Sequence, residues 1–447
     1  SHTGALAGSE AVYDSIFKQA GIIRVESIDE LFDYATVFSY KNESQLGKLR
    51  KKVPESNRVA IITNAGGPGI VATDMTISSG LELAHLNPDT VEALASHLPQ
   101  TANLHNPVDV IGDASQQRYE NALSAVIKDE GVDCALVILT PQSMTNALAT
   151  AEAIARVARR TAKPIICCFM GIVDVSAGVK YLQEKGIPVF KFPENGARAL
   201  GALYRYSRWL NRQILAPFEF EHDSAGAAKI IAECLAAGRT YLSEVDGLQL
   251  LACYGFNVLE TRLADSAEAA VVLADEMGYP VVMKIVSDQI VHKSDAGGVI
   301  VGLEEAAAVR EAFDRIVANA RAFKAGAESR GVLVQQMAPP GEEVILGMNR
   351  YPVFGPLLMY GTGGVSVEVF QDVSFRLAPI NRNGARNIIR DTKGYRMLQA
   401  FRGRPACDIA AVERLLVSLS QMVLAHPEIQ EMDINPLRVH AADQGAT

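Results

Sequence analysis

Aromatic residues are scarce in this sequence, 6% of 447 positions with a single tryptophan, and basic residues are outnumbered, leaving a formal net charge of −9. No basic tract interleaved with aromatics is present, so a general nucleic-acid surface is excluded. No apolar run approaches membrane-spanning length, and neither a membrane partner nor a secretory leader is expected. Low-complexity tracts and short tandem repeats are also lacking. The six cysteines are scattered apart from the adjacent pair Cys167 and Cys168 inside the apolar run 164–170. That pattern predicts buried thiols in a reducing cytoplasm rather than disulfides or a metal site. What remains is an ordinary globular composition, 49% hydrophobic and 21% charged with 35 glycines, long enough for two or three domains.

Three regions follow one another. Residues 1–40 read as helix, strand, helix. Val12, Ile16 and Ala20 form an apolar stripe, Gly21 stops that helix, and 22–25 are strand-like. Ser27 and Glu30 then make a capping box ahead of Leu31, Tyr34, Ala35 and Phe38. This region is too small to bury a core, so 1–45 is expected to be the C-terminal part of a larger α/β domain. A charged stretch leads to a second region, 58–215, where apolar runs at 59–62, 134–139, 164–169 and 187–190 alternate with helical segments. Such alternation predicts a doubly wound parallel sheet. After a polar junction at 217–225, a helical lead-in carrying Leu248, Leu251 and Ala252 opens a third region, 225–447, of mixed strands and helices.

Several segments suit phosphate. The opening Ser1-His2-Thr3-Gly4-Ala5-Leu6-Ala7-Gly8 places a histidine among small residues ahead of a helix, a seat for a phosphohistidine. A cut edge of a longer chain has the same appearance, and the residues leave both readings open. Thr63-Asn64-Ala65-Gly66-Gly67-Pro68-Gly69 sits between a strand and a helix expected over 70–78. There backbone amides can converge on an anion, although a tight turn explains the glycines equally. Its spacing is neither a Walker loop nor a dinucleotide fingerprint. Asn106 to Asp113 is turn-rich and could wall the same pocket.

Downstream, Lys284 interrupts an apolar strand, where it needs an anion or a route to solvent. Eight residues on, His292 stands with Lys293, Ser294 and Asp295 ahead of Gly297 and Gly298. Gln335, Gln336 and Met337 end a strand whose edge can offer main-chain groups to an adenine, and Glu343 can accept from ribose hydroxyls. Glu431, Asp433 and Asn435 alternate and are expected on one strand face. Oxygen ligands so placed suit a Mg2+ ion bridging nucleotide phosphates, and a polar edge strand has the same pattern.

In this order the segments resemble the NDP-forming acyl-CoA synthetase family, relatives of succinyl-CoA synthetase and the ADP-forming acetyl-CoA synthetases, over essentially the whole chain. The most specific pieces are the His2 opening, the Thr63 to Gly69 loop, His292 to Val299 and Asp433 to Leu437. The resemblance implies an α/β fold of flavodoxin-like doubly wound sheets followed by an ATP-grasp domain. It implies an acid-thiol ligase converting carboxylate, CoA and ATP to acyl-CoA, ADP and phosphate through an acyl phosphate and a phosphohistidine. In that scheme His2 is the phosphohistidine and His292 a second phosphoryl relay. Gly66, Gly67 and Gly69 bind phosphate, Lys284 meets the nucleotide phosphates, and Gln335, Gln336 and Met337 lie at the adenine. Glu343 lies near the ribose, Asn435 is on Mg2+, and Asp433 is on the metal or faces the incoming phosphohistidine. ATP/ADP and Mg2+ are the implied cofactors, with CoA bound mainly by a domain lacking here. The implied partners are a small carboxylic acid, CoA, phosphate, and a second copy or a CoA-binding part. Also lacking are the first part of the histidine-bearing domain and a second metal-binding aspartate, so the chain is expected to be part of one of roughly 700 residues. A competing reading is the synthetase-like regulatory region of a protein lysine acetyltransferase. The presence of both histidines argues against it, since a sensor has no need of a phosphorylatable His2.

Overall fold

A computed structural model describes residues 9–43, 49–171, 174–213, 215–218, 220–287, 296–323, 330–364, 372–400 and 403–447. The chain separates into two compact units, Gly21–Arg212 and Ser1–Ala20 with Gln213–Thr447. Helix α1, Ser9–Ala20, therefore clusters with the C-terminal unit, and the division falls inside the stretch 1–45.

In the unit Gly21–Arg212, helix α2, Ile28–Phe38, starts where Ser27 Oγ accepts the Glu30 N–H at 3.1 Å, while Glu30 Oε2 accepts the Glu26 N–H at 2.8 Å. Both interactions satisfy donors that the first turn leaves open. Residues 22–25, expected as a strand, join no sheet among the described residues. Ile23 and Val25 lean on the core, but no neighbouring strand takes up their backbone groups.

The parallel sheet contains β1 (Arg58–Thr63), β2 (Glu82–Leu83), β3 (Val108–Asp109), β4 (Cys134–Leu139), β5 (Ile165–Phe169) and β6 (Val189–Phe190). Its order is β2-β1-β4-β5-β6, with β3 also paired to β1. Every residue of β4 and β5 is buried, as continuous apolar runs require in a sheet covered on both faces. Helices alternate with these strands, a short one over Pro88–Ala95 and the longer α3 (Gly66–Ser78), α4 (Gln116–Lys128), α5 (Ala147–Ala158), α6 (Ser176–Glu184) and α7 (Pro193–Leu210). Tyr119, Ile154 and Leu182 from α4, α5 and α6 fill one face. Val37, Ala72 and Leu200 from α2, α3 and α7 fill the other. Cys167 and Cys168 point to opposite faces of β5, and burial pushes both thiols well above their ordinary range.

The C-terminal unit is antiparallel. Helices α8 (Ser224–Ala236) and α9 (Glu244–Cys253) precede a sheet of β7 (Thr261–Ala264), β8 (Val281–Val286), β9 (Val299–Leu303) and β10 (Gly331–Gln336), ordered β9-β8-β10-β7. Along β8 burial alternates. Val281, Met283 and Ile285 pack under α10 (Ala267–Met277) and α11 (Ala306–Phe323), which leaves Val282 and Lys284 on the opposite face. A second sheet holds β11 (Glu342–Tyr351), β12 (Gly355–Thr362), β13 (Val373–Leu377) and β14 (Glu431–Val439), ordered β13-β12-β11-β14. Val344, Leu346 and Met348 face a core shared with α12 (Arg382–Arg390) and α13 (Ile409–Ala425). Ile345 and Met359 face the other way, against Val12 of α1. Helix α1 is fixed at the sheet edge by Gln19, whose side-chain amide donates to Leu377 O and accepts from Leu377 N–H, each at 2.9 Å. No described helix is long and apolar enough to cross a membrane.

Candidate functional site

In the N-terminal unit three turns meet at the carboxyl ends of β1 and β4, where the strand order reverses, the place such sheets reserve for ligands. Asn64, 3% exposed, joins two of them. Its Nδ2 donates to Thr140 O at 2.8 Å, and its Oδ1 accepts from Thr140 N–H at 2.8 Å and from Thr140 Oγ1 at 3.1 Å. Gly112 closes the third side, 3.8 Å separating a Cβ built there from Gln142 Cγ. Beside it Ile111 sits at φ +67, and its N–H donates to Asp109 Oδ1 at 2.8 Å. A β-branched residue in that region costs roughly 1–3 kcal/mol and is sustained by its surroundings.

Helix α3 begins at Gly66, four residues before the expected Ile70, so the glycines form its first turn. Pro68 is tolerated there because first-turn N–H groups have no intrahelical acceptor. The N-cap Ala65 gives no side-chain hydrogen bond, which leaves the Gly66 and Gly67 amides at an open helix start. A Cβ at either position meets nothing within 4 Å. Gly69 differs. Its N–H donates to Ala65 O at 3.3 Å, and a Cβ there would lie 3.1 Å from Thr63 Cγ2. The geometry therefore offers an anion two amides, with Gly69 serving close packing.

In the C-terminal unit a cavity of about 1320 Å3 is lined by Lys284, Gln335, Gln336, Met337, Asp433 and Asn435 among others. Six of the sequence-derived site residues thus share one wall system. Lys284 pairs in register with Leu333 of β10, and Gln335 with Val282 of β8, so one sheet face presents both. Gln335, 8% exposed, is oriented by a 2.8 Å donation to Thr261 Oγ1. The Gln336 N–H donates to Glu260 O at 3.1 Å. Glu343 is not on the lining. Its carboxylate holds Arg438 at 2.9 Å, and Arg438 is on the lining.

A bulge in β14 falls at Asn435. Leu437 pairs with Val344 and Ile434 with Leu346, so two residues of β14, Asn435 and Pro436, oppose Ile345 alone. Proline has no N–H for the ladder, and a bulge is where a strand accepts it. The bulge turns Asn435 toward the glycine turn after β12, where its Oδ1 accepts the Gly364 N–H at 3.0 Å. Gly363 in that turn allows close approach, since a Cβ would stand 2.6 Å from the Val344 backbone.

The residue sequence reasoning missed is Glu244, at the start of α9. Its Oε1 lies 2.8 Å from Lys284 Nζ, and it too lines the cavity. The only signal was Ser243 ahead of an acidic helix start, which marks a cap and says nothing of a partner 40 positions away. His2 and His292 lie outside the described residues.

Three family models match the chain: an ATP-grasp domain over 233–447, a Ligase-CoA domain over 59–213, and a succinyl-CoA ligase like flavodoxin domain over 1–38. The chain is 40% identical over 440 residues to the ADP-forming acetate–CoA ligase I of Archaeoglobus fulgidus, covering 98% of this chain and 61% of that protein. It is 36% identical over 445 residues to the ADP-forming 4-hydroxybutyrate–CoA ligase of Nitrosopumilus maritimus, covering 100% and 62%. The chain thus spans about three fifths of the length of these curated relatives. Over 215 residues it is 45% identical to the β subunit of the ADP-forming acetate–CoA ligase I of Pyrococcus furiosus, covering 48% of this chain and 93% of that subunit. On this coverage, and with a flavodoxin-like sheet region followed by an ATP-grasp domain, the chain belongs to the NDP-forming acyl-CoA synthetase family.

Proposed function

We propose that this chain carries the phosphohistidine and the nucleotide site of an ADP-forming acid-thiol ligase, which joins a small carboxylic acid to CoA as ATP is cleaved to ADP and phosphate. The observation that carries the reading is the single cavity on which Lys284, Gln335, Asp433 and Asn435 converge. Lys284 supplies a point charge for nucleotide phosphates. The end of β10, Gln335 to Met337, serves the base, and Glu343 acts on the ribose side through Arg438.

Asp433 and Asn435 are the side-chain oxygens for a divalent cation. No group of three or more His, Cys, Asp or Glu suited to a metal occurs among the described residues. So sparse a donor set fits Mg2+, which keeps waters and phosphate oxygens as its remaining ligands. When bound, the ion supplies neutralisation of phosphate charge.

His2, an imidazole nucleophile, accepts the γ-phosphoryl group of ATP with ADP leaving and passes it to the carboxylate, and the acyl phosphate so formed gives acyl-CoA when the CoA thiol displaces inorganic phosphate. His292 is a second carrier near the nucleotide. The Gly66 and Gly67 amides hold phosphate at the N-terminal unit. CoA is bound mainly by a further region, on the same or an associated polypeptide. The protein acts in the cytoplasm, as a homo-oligomer or with that CoA-binding part.

Incubation with γ-labelled ATP and Mg2+ tests the scheme. Acid-labile phosphoprotein is expected from the wild type and is lost in His2→Ala, with His292→Ala slowing its appearance. A wild type that never carries acid-labile label overturns the reading.

A further inference from the structure

Among the described residues, the cavity in the C-terminal unit presents three cations, Arg239, Lys284 and Arg438. All three are engaged by carboxylates, but from different sides. Asp246 holds Arg239 at 2.9 Å and Glu343 holds Arg438 at 2.9 Å, and neither acid is on the lining. Lys284 is engaged from the cavity side, by Glu244 at 2.8 Å, with the two side chains 25% and 27% exposed.

Glu244 occupies the first position of α9, where the helix start favours the carboxylate form. The lining also carries Glu428, Glu431 and Asp433, so among the described residues four carboxylates face three cations there. A polyphosphate entering without a metal ion meets that negative surface, and its natural cation is already neutralised.

We propose that Glu244 is a displaceable counter-ion, holding Lys284 in place of a phosphate, and that it makes tight nucleotide binding depend on an accompanying divalent cation. This rests on the cavity being the nucleotide site. The metal–nucleotide complex carries less negative charge past the lining carboxylates and can reach Lys284, whereas bare nucleotide is repelled by them. A lysine held extended by a resident carboxylate also needs little rearrangement when the phosphate takes that place.

Calorimetric titration of ATP into the chain, with Mg2+ and separately with EDTA, tests this on wild type, Glu244→Gln, Lys284→Met and the double variant. Glu244→Gln is expected to tighten metal-free ATP binding about three- to tenfold, the range of a partly exposed ion pair, with a smaller gain in Mg2+. The gain disappears in the Lys284→Met background. Glu244→Asp, which keeps the charge on a shorter stem, gains less than Glu244→Gln. An unchanged or weaker affinity in Glu244→Gln, or a gain that survives without Lys284, overturns the counter-ion role while the nucleotide site stands. A wild type that binds no ATP in Mg2+ overturns both.

Discussion

In the proposed function the two units address anions by opposite means. Around Asn64 and Gly66 the N-terminal unit uses main-chain amides, positioned by a buried sheet and by side chains that bond only to other parts of the fold. The C-terminal unit offers side chains on a cavity wall, each of the three cations held by a carboxylate. A site made of backbone is altered mainly by changing what holds the backbone, while a site made of side chains is altered residue by residue. Lysine shows the same contrast. Lys52 in the N-terminal unit is 4% exposed and donates to neutral oxygens, Ala158 O at 2.8 Å and Tyr40 Oη at 3.3 Å. Lys284 sits half-buried against a carboxylate.

The largest effect is expected from Asn64→Leu. It strands the Thr140 N–H and carbonyl in a buried turn and destabilises the N-terminal unit by about 3–4 kcal/mol in urea denaturation. A loss below about 1 kcal/mol would mean that the turns do not depend on it.

Next comes the pH dependence of Lys52, whose ammonium is pulled down by burial to about 8 from 10.5. The unfolded chain keeps the proton to higher pH, so the burial penalty is present in full below pH 8 and fades between 8 and 10.5. Wild type should therefore gain stability relative to Lys52→Met by up to about 3 kcal/mol as pH rises through that window. Paired denaturation curves at pH 7 and pH 10 measure it, and a constant difference refutes it.

Lys284→Met should cost about 2 kcal/mol in Mg–ATP affinity, roughly thirtyfold, with little change in melting temperature. A large stability loss instead would recast Lys284 as part of the scaffold. The smallest effect is Gly67→Ala, which keeps its amide and meets nothing within 4 Å. It should stabilise by about 0.5–1 kcal/mol, as alanine does in helices, and leave phosphate protection against heat unchanged. Loss of that protection would show that the open space is itself the phosphate seat.

The same contrast governs what was legible in the sequence. Runs such as Cys134–Leu139 announce a strand because both faces are buried, and their bounds were read directly. The glycines at 66–69 hid a helix start, since low intrinsic propensity there is overridden by Pro68 and by the sheet behind. At 22–25 the apolar run was real but had no strand to pair with. In the C-terminal unit the sequence singled out Lys284, Gln335 and Asp433, which line one cavity, while their relations were not legible. Glu244 faces Lys284, Glu343 turns to Arg438, and a bulge moves Asn435, all through contacts between segments distant in sequence. Local pattern carries no record of such meetings.

Gly21 is where the chain passes from the helix behind His2 into the parallel unit, and a Cβ there would stand 2.5 Å from the ring of Trp209. Trp209 is the sole tryptophan of the chain, stacked on Tyr206 and covered by the Arg212 guanidinium. Its fluorescence is consequently a built-in optical reporter of that one junction. Any rearrangement of the histidine-bearing segment that bends the chain at Gly21 will be visible as a change in emission, without a label and with no competing indole.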